Sequence, residues 1–255
     1  MTPVPHARRP AIECCARTDV GRVRARNEDA LAVRAERGWA VLADGMGGYR
    51  GGDVASRVAV GAVLQRLERE AAAGRLEDVD GVREALAGAA RGANDAILVE
   101  ARAQPKLAGM GSTLVAAVFL PGRVVSANVG DSRLYRLRAG LFEQLTRDHT
   151  MLQEQIDGGI LSAADAARME FKGMLTRGLG VLPEVEPDVG VHVARAGDLF
   201  LLCSDGLTDM VRDDDIAVAL DPAGPLSASA ERLVERANLN GGRDNISVVL
   251  VRMSG

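Results

Sequence analysis

Residues 112–138, STLVAAVFLPGRVVSANVGDSRLYRLR, contain three short aliphatic runs separated by only two or three residues. The runs are Ser112–Leu120, Arg123–Val129 and Arg133–Arg138, and the gaps between them contain Gly, Pro, Asp and Ser. Short runs rich in β-branched residues and bounded by such residues are typical of strands. Because a parallel pair needs a crossover of a dozen or more residues, tight turns of this kind favour antiparallel pairing.

The rest of the chain separates into strands and helices by the period of its apolar residues. Further strands are predicted at Glu13–Asp19, Trp39–Ala43, Asp198–Cys203 and Ile246–Arg252, with a hairpin turn around Ala139-Gly140. Helical spacing occurs in Asp53–Ala73, Val79–Ala101 and the stretch from Leu226 to Ala237. Helices grouped between runs of strands favour an α+β fold over a Rossmann sheet. No repeat or linker divides the chain, so one domain is predicted over residues 1–255.

The polar interlude at about residues 148–180 differs from the strands on either side of it. It contains Gly158-Gly159 and a second group of glycines that ends at Gly180. An insertion of this length between strands is more often a functional flap than a simple connection. We therefore predict a flap insertion within the single domain.

The composition excludes several classes of protein. Lys and Arg number 31 against 35 Asp and Glu, giving a formal net charge of −4, and only 3% of residues are aromatic. A nucleic-acid binder would need a basic surface and stacking rings, so no nucleic-acid partner is expected. No apolar stretch approaches the length of about 18 residues that a membrane span needs, and three cysteines form no disulfide framework. These features predict a cytoplasmic protein with no membrane partner.

Four aspartates share one setting, beside an apolar strand-like run and next to small or polar residues. They are Asp44, Asp131, Asp205 and Asp244. A single aspartate in this setting is usually a turn former, and that interpretation stays open for each of them. If they converge, each pair about 5 Å apart repels by about 3 kcal/mol at an effective dielectric of about 20, so protons or cations must compensate. Oxygen ligands without His or Cys favour Mg²⁺ or Mn²⁺ over zinc or copper.

Three arginines alternate just before two acidic residues: Arg22, Arg24 and Arg26 precede Glu28 and Asp29. Their spacing of two predicts that they lie on one side of an extended strand. An exposed cationic edge strand is one interpretation of this pattern. The other is a phosphate-binding site, because a guanidinium forks onto two phosphate oxygens better than an ammonium does.

Six short motifs stand in a fixed order over about residues 12–252. They are Arg24-Ala-Arg-Asn-Glu28-Asp29, Asp44-Gly45-Met-Gly-Gly, Gly109-Met-Gly-Ser-Thr113, Gly130-Asp131-Ser132-Arg133, Ser204-Asp205-Gly206 and Asp244-Asn245. In this order they resemble the motif series of the protein phosphatase 2C family, in its bacterial form. The resemblance implies a four-layer α-β-β-α sandwich, in which two antiparallel sheets are flanked by helices.

The resemblance also implies an activity, which is the hydrolysis of phosphoserine and phosphothreonine in proteins. The family uses two Mn²⁺ or Mg²⁺ ions per chain, with a third and weaker site in bacterial members, and a water that bridges the metals attacks phosphorus directly. The implied partners are phosphorylated proteins, among them a bacterial Ser/Thr kinase that the phosphatase opposes and the targets of that kinase.

Matching positions gives the metal ligands that the resemblance implies. Asp44 would bridge both ions, and the carbonyl of Gly45 would bind one of them. Asp205 and Asp244 would hold the other ion. Asp131, together with Asp205, matches the third and weaker site.

The same matching gives the residues that would act on substrate and water. Glu28 matches a residue that acts through metal-bound water, and Asp29 matches its supporting neighbour. Arg24 matches the phosphate-binding arginine. The flap at about residues 148–180 corresponds to the flap that lies beside the active site in the family.

Some positions depart from the pattern. Tyr49 and Asp53 stand where bacterial members commonly have His and Glu, and Met46 stands where eukaryotic relatives have a histidine proposed as general acid. Cys203 is predicted to be a core residue rather than a nucleophile.

Two rival hypotheses come from other classes: an inactive relative that serves as a binding module, and a metal-dependent phosphodiesterase or nuclease. The retained aspartates oppose the first, and the acidic charge opposes the second.

Overall fold

The computed structural model describes residues 11–47, 51–162, 165 and 174–254. Within these residues the chain forms eleven strands and six α-helices. The strands are β1 (Ile12–Asp19), β2 (Asp29–Arg34), β3 (Trp39–Met46), β4 (Gly111–Ser112), β5 (Leu114–Leu120), β6 (Arg123–Val129), β7 (Arg133–Arg138), β8 (Leu141–Gln144), β9 (Asp188–Val193), β10 (Leu199–Cys203) and β11 (Ile246–Met253). The helices are α1 (Gly52–Ala72), α2 (Val79–Ala103), α3 (Met151–Asp157), α4 (Asp205–Thr208), α5 (Asp213–Ala219) and α6 (Leu226–Leu239).

The strands form two sheets in which every pair is antiparallel. One sheet has the order β1-β11-β10-β7-β8, and the other has the order β2-β3-β5-β6-β9 with the short β4 beside β3. The predicted pairing of β5 with β6 is confirmed, with a register from Leu114 opposite Val129 to Leu120 opposite Arg123. β7 does not pair with β6 but crosses to the other sheet, so the tight turn at residues 130–132 joins the two sheets.

Alternating side chains of the central strands build the layers. In β3, Ala40 and Leu42 belong to the apolar cluster between the sheets, whereas Val41 and Ala43 pack with α1 and α2. Phe119 and Phe200 meet edge to face between the two sheets, with ring centroids 5.4 Å apart. The apolar face of α6 packs on the outside of the other sheet. This arrangement confirms the α+β, four-layer α-β-β-α sandwich.

Local signals account for most of the predicted elements. The hairpin turn between β7 and β8 is confirmed, since Ala139 and Gly140 both have positive φ (48° and 82°), as a two-residue type I′ turn requires. The predicted strand Ser112–Leu120 is divided into β4 and β5, and three strands were missed, namely β2, β8 and β9. All three lie near or at a sheet edge, and they are only partly buried, so their apolar period is weak. Among the described residues, the structure contains no helix that is both long and apolar enough to cross a bilayer.

Candidate active site

A cavity of about 830 Å³ opens at the end of the sandwich where β3, β6 and β10 finish and β11 begins. All seven residues that the sequence marked as site residues line it: Arg24, Glu28, Asp44, Gly45, Asp131, Asp205 and Asp244. The strand order explains this convergence. In an antiparallel sandwich the ends of alternate strands meet at one edge, and each of the four aspartates lies at such an edge.

Asp44 is at the centre of the carboxylate cluster. The pKa of its carboxyl group is raised well above the ordinary value, first by burial and then by the negative charges of Asp29, Asp205, Asp131 and Asp244. These interactions place all four carboxylates around the same side chain. The cluster therefore holds protons near neutral pH, or else a cation.

The Asp205 and Asp44 carboxyl groups are close enough to shift each other's pKa. Burial raises the pKa of Asp205 to about 6. Its Oδ1 is buried and has no hydrogen-bond partner within the described chain. A buried oxygen without a donor is costly unless something outside the protein satisfies it, and a divalent cation does so.

Asp29 and Asp131 complete the cluster on either side. Asp29 lies opposite Asp44 in the β2–β3 register, and its Oδ2 accepts a hydrogen bond of 2.9 Å from Ser204 Oγ. Burial raises the pKa of Asp29 to about 7. Burial, followed by the charge of Asp205, raises the pKa of Asp131 well above its usual range. Asp29 is thus a buried member of the cluster, which the sequence treated only as a supporting neighbour.

The oxygen ligands of the cluster fit hard divalent cations, although the Asp244 carboxylate is engaged by other groups of the protein. Oxygen atoms alone line the cluster, and Mn²⁺ and Mg²⁺ favour such donors. No three His, Cys, Asp or Glu side chains in the described part of the chain form a ready-made metal site. Asp244 is engaged elsewhere, because its Oδ2 lies 2.5 Å from Arg24 Nη2 and its Oδ1 accepts from the Asn245 backbone N–H at 2.8 Å.

The segment that carries the arginines is a loop, so the prediction of an extended strand was wrong. Residues 21–23 form a turn, and β2 begins only at residue 29. Asn245 holds the loop, since its Nδ2 donates to the carbonyls of Val20 (2.9 Å) and Arg26 (2.8 Å). Its Oδ1 accepts from the Glu28 N–H at 2.7 Å. Asn245 was visible in a motif, but only the fold shows that it fixes the loop.

Gly21 begins this loop where no side chain fits. Its φ is +81°, and a Cβ there would lie 2.3 Å from the Asp244 carbonyl oxygen. The next residue, Arg22, donates its N–H to the Gly242 carbonyl at 2.7 Å. The loop therefore runs directly against the turn that carries Asp244, and this brings Arg24 to that carboxylate.

Glu28 lies beside the carbonyl of Gly45. A Cβ on Gly52 would be 2.6 Å from both the Gly45 carbonyl oxygen and Glu28 Oε2. The Gly45 N–H also donates to the Glu28 carbonyl at 3.1 Å. Burial and the charge of Asp53 raise the pKa of Glu28. Asp53 therefore acts on the site through its charge, whereas Tyr49 lies outside the described residues.

The predicted flap contributes Leu175 to the lining of the cavity. Leu175 forms an isolated bridge with Thr150, just before α3. Beside it, His149 is only 4% exposed and accepts the Gly130 N–H on Nδ1 at 3.2 Å. No motif marked His149, which is one of three histidines scattered along the chain. Its Nε2 lies 3.2 Å from Asp188 Oδ2.

The cleft lies in a chain that matches one family over most of its length. A family model described as protein phosphatase 2C matches residues 21–250. The chain belongs to this family. Among curated relatives, the serine/threonine phosphatase stp of Listeria monocytogenes is 40% identical over 239 residues, which make up 92% of this chain and 93% of the relative.

Solved structures agree with the fold. The catalytic domain of the serine/threonine protein phosphatase PstP, crystallised with two manganese ions, superposes with a TM-score of 0.84 at 38% identity, covering 96% of this chain and 99% of that one. Stp1 of Staphylococcus aureus superposes with a TM-score of 0.90 at 29% identity over 100% of both chains.

These likenesses show that the chain is a metal-dependent protein-serine/threonine phosphatase, as its motifs implied. It uses Mn²⁺ or Mg²⁺ and acts on phosphorylated proteins. The rival interpretations, an inactive binding module and a phosphodiesterase or nuclease, are therefore wrong.

Proposed function

We propose that the carboxylate cluster holds two Mn²⁺ or Mg²⁺ ions, with a third and weaker site at Asp131. Asp44, the Gly45 carbonyl, Asp205 and Asp244 would hold this pair of ions. The observation that carries this proposal is the buried and unpartnered Oδ1 of Asp205, within reach of a second carboxyl group whose pKa is strongly raised. Protons and ions compete for these oxygens.

When bound, the ions would supply Lewis acidity and would lower the pKa of the water that serves as nucleophile. The protein residues do the rest. Arg24 is the phosphate ligand, since its guanidinium is 53% exposed in the cleft and forks onto two oxygens. Arg24 Nη2 donates to Asp244 Oδ2 at 2.5 Å. If Asp244 also holds a cation, its carboxylate would attract Arg24 less strongly, and the guanidinium would be available to the substrate.

Glu28 handles the proton of the attacking water. It lies between the Gly45 carbonyl and the α1 N-terminus, and burial raises the pKa of its carboxyl group, which makes it a better proton acceptor than an exposed glutamate. Cys203 takes no part. Its side chain is fully buried in β10, and burial raises the pKa of its thiol. The prediction that Cys203 belongs to the core is confirmed.

The physiological role that we propose is opposition to a bacterial Ser/Thr kinase, with the kinase and its phosphorylated targets as substrates. Support comes from the bacterial serine/threonine phosphatases that resemble the chain over most of its length. The cytoplasmic location stays a prediction, and so does the assignment of residues 1–255 to a single domain with a flap at about 148–180.

The test is hydrolysis of phosphothreonine and phosphoserine peptides by protein stripped with EDTA and then supplied with Mn²⁺. Activity returns with Mn²⁺ in the wild type, and Asp44→Asn loses about three orders of magnitude in kcat. Asp80→Asn is the matched control, because that side chain is 88% exposed on α2, away from the cleft. Near-native turnover by a folded Asp44→Asn protein, verified by circular dichroism, would reject the assignment.

A further inference from the structure

A second cavity of about 300 Å³ adjoins the active site. It is lined by Arg26, Asp53, Val54, Gln104, Lys106 and Leu107. Arg26 lines this cavity and the active-site cavity as well. The two cavities therefore meet at Arg26.

The charge of this cavity is positive. Within the described residues, neither the Arg26 guanidinium nor the Lys106 ammonium forms a hydrogen bond or an ion pair. The one carboxylate in its lining, Asp53, forms an ion pair with Arg57 Nη1 at 3.1 Å. Two cations thus line the cavity without an ion pair, although the Arg26 charge also acts on Glu28 in the neighbouring active site.

Both cations stand on anchored backbone. The carbonyl of Arg26 accepts from Asn245 Nδ2 at 2.8 Å. Lys106 lies in a short 3₁₀ turn, Pro105–Leu107, in which Leu107 is 2% exposed and donates its N–H to the Gln104 carbonyl at 2.8 Å. The backbone of both cationic residues is therefore held in place, as a binding subsite requires.

We call this second cavity the Arg26–Lys106 groove. We propose that it binds an anionic group of the substrate that flanks the phosphorylated residue. That group is the carboxylate of an Asp or Glu side chain, or a second phosphoryl group. This proposal rests on the proposed function, because it gives that site a preference among phosphopeptides. Charge-assisted contacts to two partly exposed cations amount to about a 5- to 20-fold effect on kcat/KM at low salt.

The experiment compares phosphothreonine peptides that differ only in their flanking residues. One peptide has Glu on both sides of the phosphothreonine, the second has Gln at the same positions, and the third has a second phosphothreonine there. The wild type should favour the Glu peptide over the Gln peptide through a lower KM, and added salt should reduce the preference. The third peptide reports which anion is bound more tightly, a carboxylate or a phosphoryl group.

The variants identify the groove as the source of the preference. Lys106→Gln and Arg26→Gln should bring the ratio of kcat/KM between the Glu and Gln peptides close to one, and Lys106→Glu should turn it in favour of a Lys-flanked peptide. Arg195→Gln is the control, since Arg195 is an exposed cation in the turn before β10, at the opposite end of the sandwich. Equal rates for the wild type on both peptides, or a preference that survives Lys106→Gln and Arg26→Gln, would overturn the proposal.

Failure of the groove and failure of the proposed function are distinguishable. Hydrolysis of p-nitrophenyl phosphate and of the Gln peptide by the wild type depends on the metal centre alone. If the wild type hydrolyses both without any preference for acidic flanks, the groove proposal fails and the proposed function stands. If neither is hydrolysed with Mn²⁺, the proposed function fails, and the groove proposal fails with it.

Discussion

Replacing Asp205 by Asn should stabilise the metal-free protein while removing its response to Mn²⁺. Burial raises the pKa of Asp205 from 3.8 to about 6. One unit corresponds to about 1.4 kcal/mol, so the ionised carboxylate destabilises the fold by at most about 3 kcal/mol at neutral pH. Because Asp205 keeps part of its surface open to the cleft, we expect Asn to raise the free energy of unfolding by about 1–3 kcal/mol.

The gain in stability from Asp205→Asn should increase with pH, because the pKa of Asp205 is raised in the folded protein. The folded wild type binds the Asp205 proton more tightly than the unfolded chain does. The resulting stability is complete below a pH of about 4 and is lost as the pH rises through about 6. The free energies of unfolding of Asp205→Asn and of the wild type should therefore be nearly equal at pH 4, and their difference should reach its full size at pH 7.5.

The assay is chemical and thermal unfolding followed by circular dichroism, in EDTA and in Mn²⁺. A gain of about 1 kcal/mol corresponds to roughly 2–4 °C in Tm for a chain of this size. Mn²⁺ should raise the Tm of the wild type and leave Asp205→Asn almost unchanged, with Asp80→Asn following the wild type. If Asp205→Asn were less stable than the wild type in EDTA at pH 7.5, the carboxylate would be a structural contact, and the account of the cluster would be wrong.

Three other predictions concern the surroundings of the cleft. Gly21→Ala should destabilise the fold by about 2 kcal/mol or more and raise KM for phosphopeptides, because the new Cβ collides with the Asp244 carbonyl; unchanged kinetics would contradict this. Burial lowers the pKa of His149, so it contributes stability that is lost as the pH falls below about 6.5; unfolding curves of His149→Gln should show a weaker loss over that range than those of the wild type. Iodoacetamide should leave the activity intact, because Cys203 is fully buried; mass spectrometry that finds Cys203 alkylated in active, folded protein would refute this.

The fold was largely predictable because its central strands and long helices have strong periods. Strands such as β5 and β6 are short, apolar and bounded by turn residues, and α2 begins at a side-chain cap, where Asp78 Oδ1 accepts from the Gly81 N–H at 2.8 Å. The missed strands β2, β8 and β9 owe their conformation to pairing with a neighbour rather than to their own residues. The crossing of β7 to the second sheet depends on a long-range choice of partner, which a local pattern does not encode.

The aspartates of the site could be predicted from the sequence, but the tertiary contacts that hold the surrounding residues in place could not. Motif order marked Asp44, Asp131, Asp205 and Asp244, and the cavity brings them together. The participation of Asp29 depends on the β2–β3 register, so it is visible only after the strands pair. The loop of the arginines was misjudged because a spacing of two resembles a strand. Tertiary hydrogen bonds from Asn245, more than 200 residues away in the chain, give it another conformation.

The most direct test of the carboxylate cluster is calorimetric titration of the metal-free protein with Mn²⁺ near pH 6, in two buffers with different enthalpies of ionisation. The account predicts two ions bound per wild-type chain, with protons released as the ions replace them on the Asp44 and Asp205 carboxyl groups, and no tight binding to Asp44→Asn. Equal binding by the wild type and Asp44→Asn, or binding that releases no protons, would contradict it.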